Sequence, residues 1–167
     1  MKWIAISGSW RHTPPKLIQN LTAEVLNIVN QGWGVVTGGA LGVDYLATKL
    51  VLEHSSPQKI KIFLPTSLQI YANHYHKRAD EGVISHQQAQ DLIAQLTRVK
   101  QLSKESLIEN LQEQVVNEDS YFQRNTKIIE SADELIAFWV NKSAGTLDTI
   151  SKAKGKGVKI RLYEYEV

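Results

Sequence analysis

Short apolar runs alternate along this chain with longer stretches in which apolar residues recur at helical spacing. Lys2 to Ser7 holds Trp3, Ile4, Ala5 and Ile6 in one run, the pattern of a buried strand. Pro14 and Pro15 suit a helix start after Thr13, and Leu17, Ile18, Leu21, Val25, Leu26, Ile28 and Val29 then fall at helical spacing until Gly32. Trp33 to Val36 predicts a second strand and Val43 to Glu53 a second helix. After the turn Ser55-Ser56-Pro57, Lys59 to Leu64 predicts a third strand, closed by Pro65. A helix from about Ser120 to Ser131 leads to a fourth strand, Glu134 to Val140. A helix over Leu147 to Lys154 ends at Gly155 and Gly157, and Val158 to Tyr163 predicts a fifth strand.

The stretch 66–118 breaks this rhythm. It is polar, rich in glutamine and histidine, and has no strand-like run. Ser85 with Gln88 predicts a capping box, followed by the apolar face Ala89, Leu92, Ile93, Leu96, Val99 and Leu102. Ser106 with Glu109 predicts a further short helix carrying Leu107, Ile108, Leu111 and Val115. The whole stretch reads as a helical insertion between strands three and four. Its apolar face is expected to pack on the sheet; a lid over a ligand or a homo-oligomer interface are the alternatives.

Strands alternating with helices predict an α/β fold: a parallel sheet of about five strands with helices on both faces. Consecutive crossovers building one half predict the order 3-2-1-4-5. A length of 167 residues suits one domain over 1–167 with a full core. No cysteine is present, which excludes disulfides and thiolate chemistry and fits a reducing cytoplasm. The start has too short an apolar run for a signal peptide, and no run approaches a membrane span. A net charge of +2 implies no nucleic-acid partner by itself. Late basic residues, from Lys142 to Arg161, read mainly as a solvated helix end.

Three strand ends carry loops of Gly, Ser or Thr. The first is Ser7-Gly8-Ser9-Trp10. The second is Thr37-Gly38-Gly39-Ala40-Leu41-Gly42-Val43-Asp44, a glycine turn opening a helix. The third runs from Asn141 through Ser143, Gly145 and Thr146. Loops at the carboxyl ends of parallel strands converge where strand order reverses, and helix N-termini there offer free amides to an anion. Arg124 beside Asn125 adds a guanidinium able to grip phosphate with two parallel bonds. Trp10, Tyr121 and Phe122 are candidates for stacking on a base. The motifs G-x-G-x-x-G and G-x-x-x-x-G-K-[ST] are absent, so no dinucleotide or ATP cofactor is implied. His74 and His76 lie two apart and share no helix face, so no metal is assigned.

The set S-G-S-W (7–10), V-T-G-G-A-L-G-V-D (36–44), R-N (124–125), A-D-E-L-I-A-F-W (132–139) and S-A-G-T (143–146) resembles the SLOG superfamily. That superfamily joins LOG phosphoribohydrolases, DprA-like DNA-processing proteins and small proteins of unassigned function, and the likeness is nearest the last group. It covers residues 1–65 and 120–163. The resemblance implies a Rossmann-like fold binding a nucleotide-derived ligand, with the 38–42 loop and Gly145-Thr146 on phosphate. It implies for Arg124 the place of the arginine that LOG enzymes set near the scissile sugar bond. The LOG pattern P-G-G-x-G-T-x-x-E is met here by N-K-S-A-G-T-L-D-T. Thr149 stands where the glutamate belongs, which leaves Asp148 or Asp44 as the carboxylate for hydrolysis. Binding of a phosphorylated nucleotide derivative is therefore the leading expectation. Phosphoribohydrolase activity comes second, and single-stranded DNA binding third.

Overall fold

The computed structural model describes residues 1–167. Six strands form one sheet: β1 (Trp3–Gly8), β2 (Gly34–Thr37), β3 (Ile60–Phe63), β4 (Leu107–Ile108), β5 (Glu134–Val140) and β6 (Lys159–Tyr165). All pairs are parallel, in the order β4-β3-β2-β1-β5-β6. Six helices connect them: α1 (Pro15–Asn30), α2 (Val43–His54), α3 (Leu68–Asp80), α4 (His86–Leu102), α5 (Glu118–Glu130) and α6 (Ala144–Gly155).

Period-two alternation along the strands decides the layers. Ile4 and Ile6 of β1, Val35 of β2, and Ile136, Phe138 and Val140 of β5 face one way. They join Leu17, Leu21, Val25 and Ile28 of α1 and the inner faces of α2, α3 and α4 in the larger core. Ala5, Val36, Leu135 and Ala137 face the other way, onto Ile128 and Ile129 of α5 and Ile150 and Ala153 of α6. Each fully buried aliphatic side chain contributes roughly 1.5–3 kcal/mol. The result is the expected three-layer α/β sandwich, and no helix is long and apolar enough to cross a membrane.

The sheet departs from expectation at one edge. The order 3-2-1-4-5 holds as β3-β2-β1-β5-β6, but a sixth strand, β4, extends it beyond β3. Leu107 and Ile108, expected on a short helix, pair instead with Ile62 and Phe63. The two residues expected to cap that helix are used elsewhere. The Ser106 hydroxyl donates to the Pro57 carbonyl at 2.7 Å. The Glu109 carboxylate accepts from the Leu68 amide at 2.7 Å and from Lys100 at 3.0 Å. Leu111 and Val115 are exposed, so the expected apolar face does not form.

The other cap in this segment holds as expected: Ser85 and Gln88 exchange bonds in a capping box. Ala89, Leu92, Leu96 and Val99 of α4 are buried in the larger core, while Leu102 is exposed. Helix α3 was not marked by an apolar stripe. Tyr71, Tyr75 and Ala79, each four residues apart, make its buried face. A tyrosine can serve there because its hydroxyl finds a partner: Tyr71 donates to the Gly39 carbonyl at 3.0 Å.

Candidate functional site

The turns after β1, β2 and β5 border a single cavity of about 820 Å3 at the carboxyl ends of the strands. It lies where β1 stands between β2 and β5, the point at which strand order reverses.

The first loop folds on its own serine. The Ser9 Oγ accepts from the amides of His12 (2.8 Å) and Arg11 (3.1 Å), turning the chain sharply after Gly8. Trp10 is left exposed at the rim with the Arg11 guanidinium 5.2 Å from its ring centroid. The Ser9 carbonyl meanwhile accepts from the Val43 amide at 3.0 Å, locking this loop to the start of α2. Gly42 permits that contact. Its φ is +71°, and a Cβ there would collide with the Ser9 carbonyl.

The second loop is built around Asp44. Its carboxylate accepts from the Gly38 and Ala40 amides, each at 3.2 Å, and is almost fully buried. Burial raises its pKa from 3.8 to about 6, against the opposing pull of the Arg124 charge and the two amides. A carboxyl that changes charge close to neutrality therefore lines the cavity.

Arg124 is held as a fixed fork. Its Nη1 donates to the Gly38 carbonyl at 2.8 Å. Its Nε and Nη2 donate to Asn125 Oδ1 at 3.2 and 3.1 Å. Asn125 Nδ2 donates to Asp148 Oδ2 at 3.0 Å, and Lys152 Nζ donates to the same oxygen at 2.6 Å. The ring of Tyr121 lies 4.9 Å from the guanidinium carbon. A Cβ on Gly38 would come within 2.7 Å of that guanidinium, so glycine is what lets the arginine seat. Of the five N–H donors of arginine, two remain for a ligand.

The third loop opens α6. The amides of Ala144, Gly145 and Thr146 donate to nothing in the chain, and Ser143 gives the helix no side-chain cap. By contrast α3, α4 and α5 carry side-chain caps from Ser67, Ser85 and Asn117. An uncapped N-terminus bordering a cavity is an open donor set for an anion.

Twelve of the expected site residues line the cavity: Ser7, Gly8, Ser9, Trp10, Gly38, Ala40, Asp44, Arg124, Asn125, Ser143, Gly145 and Thr146. Thr37, Gly39, Gly42 and Asp148 do not. Thr37 is buried with its hydroxyl unpartnered. Gly39 offers its carbonyl to Tyr71, Gly42 shapes the turn, and Asp148 faces Lys152 and Asn125. Thr149 faces the cavity where the resemblance places a glutamate. Residues of the 66–117 stretch were not foreseen here: His74, Tyr75 and Arg78 of α3, and Val83, Ile84, Val116 and Asn117. His74 and Arg78 lie one helical turn apart. That spacing marks a shared face, but nothing in the sequence says the face looks onto the three loops.

The fold is Rossmann-like, and the chain's family is DprA-like, in keeping with the SLOG resemblance of its sequence motifs. The family model described as DNA recombination-mediator protein A matches residues 1–167, and the chain belongs to that family. Among solved structures, DNA processing protein A from Helicobacter pylori, studied for its single-stranded DNA binding mode, matches with a TM-score of 0.68 at 20% identity. The match covers 96% of this chain and 64% of that one, so this chain spans less than two thirds of that protein. The protein TM1055 matches with a TM-score of 0.56 at 15% identity, over 96% of this chain and 72% of that one. At these identities the likeness establishes the fold alone. Comparison with curated protein sequences gives no match.

Proposed function

We propose that the cavity binds a nucleotide unit by its phosphate, either as a free nucleotide derivative or within single-stranded DNA. The observation that carries this reading is the open N-terminus of α6, whose three unpartnered amides border the same cavity as Arg124. Amides and a guanidinium held in place before binding lose little freedom when an anion arrives. Tyr75, Tyr121 and Phe122 provide the aromatic wall on which a base would stack.

Sequence alone ranked DNA below free nucleotides. Membership of the DNA recombination-mediator protein A family supports DNA, and so does the exposed Trp10 at the rim. Glycosidic cleavage is the weaker reading. Asp148 is engaged by Lys152 and Asn125, and Thr149 carries no charge to steady an oxocarbenium-like state. Asp44, the other carboxyl expected for hydrolysis, is spent on two loop amides.

A thermal-shift panel of nucleoside monophosphates, the corresponding nucleosides and a short oligothymidylate tests the proposal. Phosphate-bearing ligands should raise Tm and nucleosides should not. Equal shifts from nucleosides would remove the phosphate from the reading.

A further inference from the structure

The chain has five arginines and fourteen lysines. Three of the arginines, Arg11, Arg78 and Arg124, line the cavity, and none of the lysines does. They come from three separate places: the loop after β1, helix α3 and helix α5. Guanidinium is preferred over ammonium where a planar group must meet phosphate with two parallel bonds. One phosphate shared by the α6 N-terminus and Arg124 leaves Arg11 and Arg78 without a role.

Helix α3 contributes His74, Tyr75 and Arg78 to the cavity wall. Arg78 sits one helical turn beyond His74, and both line the cavity. Arg78 donates to Glu81 at 2.9 Å in a half-exposed pair, a weak tie that leaves most of its donors unused. The charges of Arg124 and, more weakly, Arg78 both act on the Tyr121 hydroxyl of α5. Burial, followed by the Arg78 charge, holds His74 below the ordinary histidine value, so it offers a hydrogen bond more than a charge. Glu118, exposed at the first turn of α5, also lines the cavity and opposes an anion.

We propose that Arg78 and His74 form a second phosphate subsite, so that the cavity takes two consecutive phosphates of a single strand with one nucleoside between them. This rests on the phosphate-binding reading above and gives the segment between β3 and α5 a part in recognition. A cavity of about 820 Å3 lies near the top of the range for small-ligand sites, which suits a segment longer than one nucleotide.

The test is calorimetric titration with two probes, thymidine 5′-monophosphate and the 5′-phosphorylated thymidine dinucleotide. Wild type should bind the dinucleotide at least about tenfold more tightly. Arg78→Ala should remove that gain and leave the monophosphate affinity within about twofold. Glu118→Gln should tighten the dinucleotide further. Equal binding of both probes by wild type, or an equal loss for both in Arg78→Ala, overturns the second subsite while the first stands. No binding of the monophosphate by wild type overturns the phosphate-binding reading and the second subsite with it.

Discussion

Two parts of this molecule bury their apolar residues by different rules. In the strands and in α1, burial follows period two or period 3.6, and aliphatic side chains do nearly all of it. In the 66–117 stretch, α4 follows the same rule, but α3 buries Tyr71 and Tyr75 and leaves a polar exposed face. The tyrosines meet edge to face at 4.9 Å, their hydroxyls 3.3 Å apart, and Tyr71 reaches the Gly39 carbonyl. Burial raises both phenols well above their ordinary value, which keeps them neutral as donors. The first rule builds a core. The second rule ties a helix to the loop on which the site depends, because a polar bond between neutral groups fixes a position that apolar contact only fills.

If the 66–117 stretch is part of the core and not a detachable cover, a fully buried leucine within it should matter as much as any in the sheet. Leu96 is fully buried among residues of the larger core. Leu96→Ala should cost about 2–5 kcal/mol of stability in a single denaturation transition. Two separated transitions in wild type would show the stretch unfolding on its own.

The glycine loop should reveal itself through pH. Asp44 takes up its proton near pH 6 in the folded protein and near 3.8 unfolded. Between those values the unfolded chain has released a proton that the folded protein keeps. This contribution is therefore complete below about pH 3.8 and is lost as pH rises through about 6. It is on the order of 3 kcal/mol at 1.36 kcal/mol per pH unit. Urea denaturation from pH 4 to 7 should show the decline, and Asp44→Asn should abolish it. A wild-type profile identical to that of the variant would contradict the assignment.

Arg124 separates binding from stability. Arg124→Ala should cost about 1.5–3 kcal/mol in nucleotide affinity, the worth of a charged hydrogen bond. It should also raise the Asp44 pKa further, because the Arg124 charge is the largest influence opposing its rise. Unchanged affinity by calorimetry would take Arg124 out of the site.

Tyr71→Phe is the finest probe of the second rule. It removes one hydroxyl and leaves the Gly39 carbonyl unpaired in a buried place, at a cost of about 1–3 kcal/mol. Nucleotide affinity should fall with it if α3 holds the loop in its binding shape. A loss of stability with affinity intact would reduce Tyr71 to packing alone.

Sequence by itself determined the five strands β1, β2, β3, β5 and β6, their order, and the three loops that border the cavity. Local rules suffice for these: an apolar run must be buried, a glycine turn must follow it, and loops at the ends of parallel strands must converge. The tertiary structure alone decided β4, where Leu107 and Ile108 add to an edge that Ile62 and Phe63 had left open. It also turned Ser106 and Glu109 from expected helix caps into ties to Pro57 and Leu68. Asp148 became the support of Asn125, and so of Arg124, for a similar reason. A carboxylate with a lysine four residues away and an asparagine on the facing helix is satisfied before it can reach the cavity. Such choices depend on which groups distant in sequence meet in space, and no periodicity along the chain encodes that.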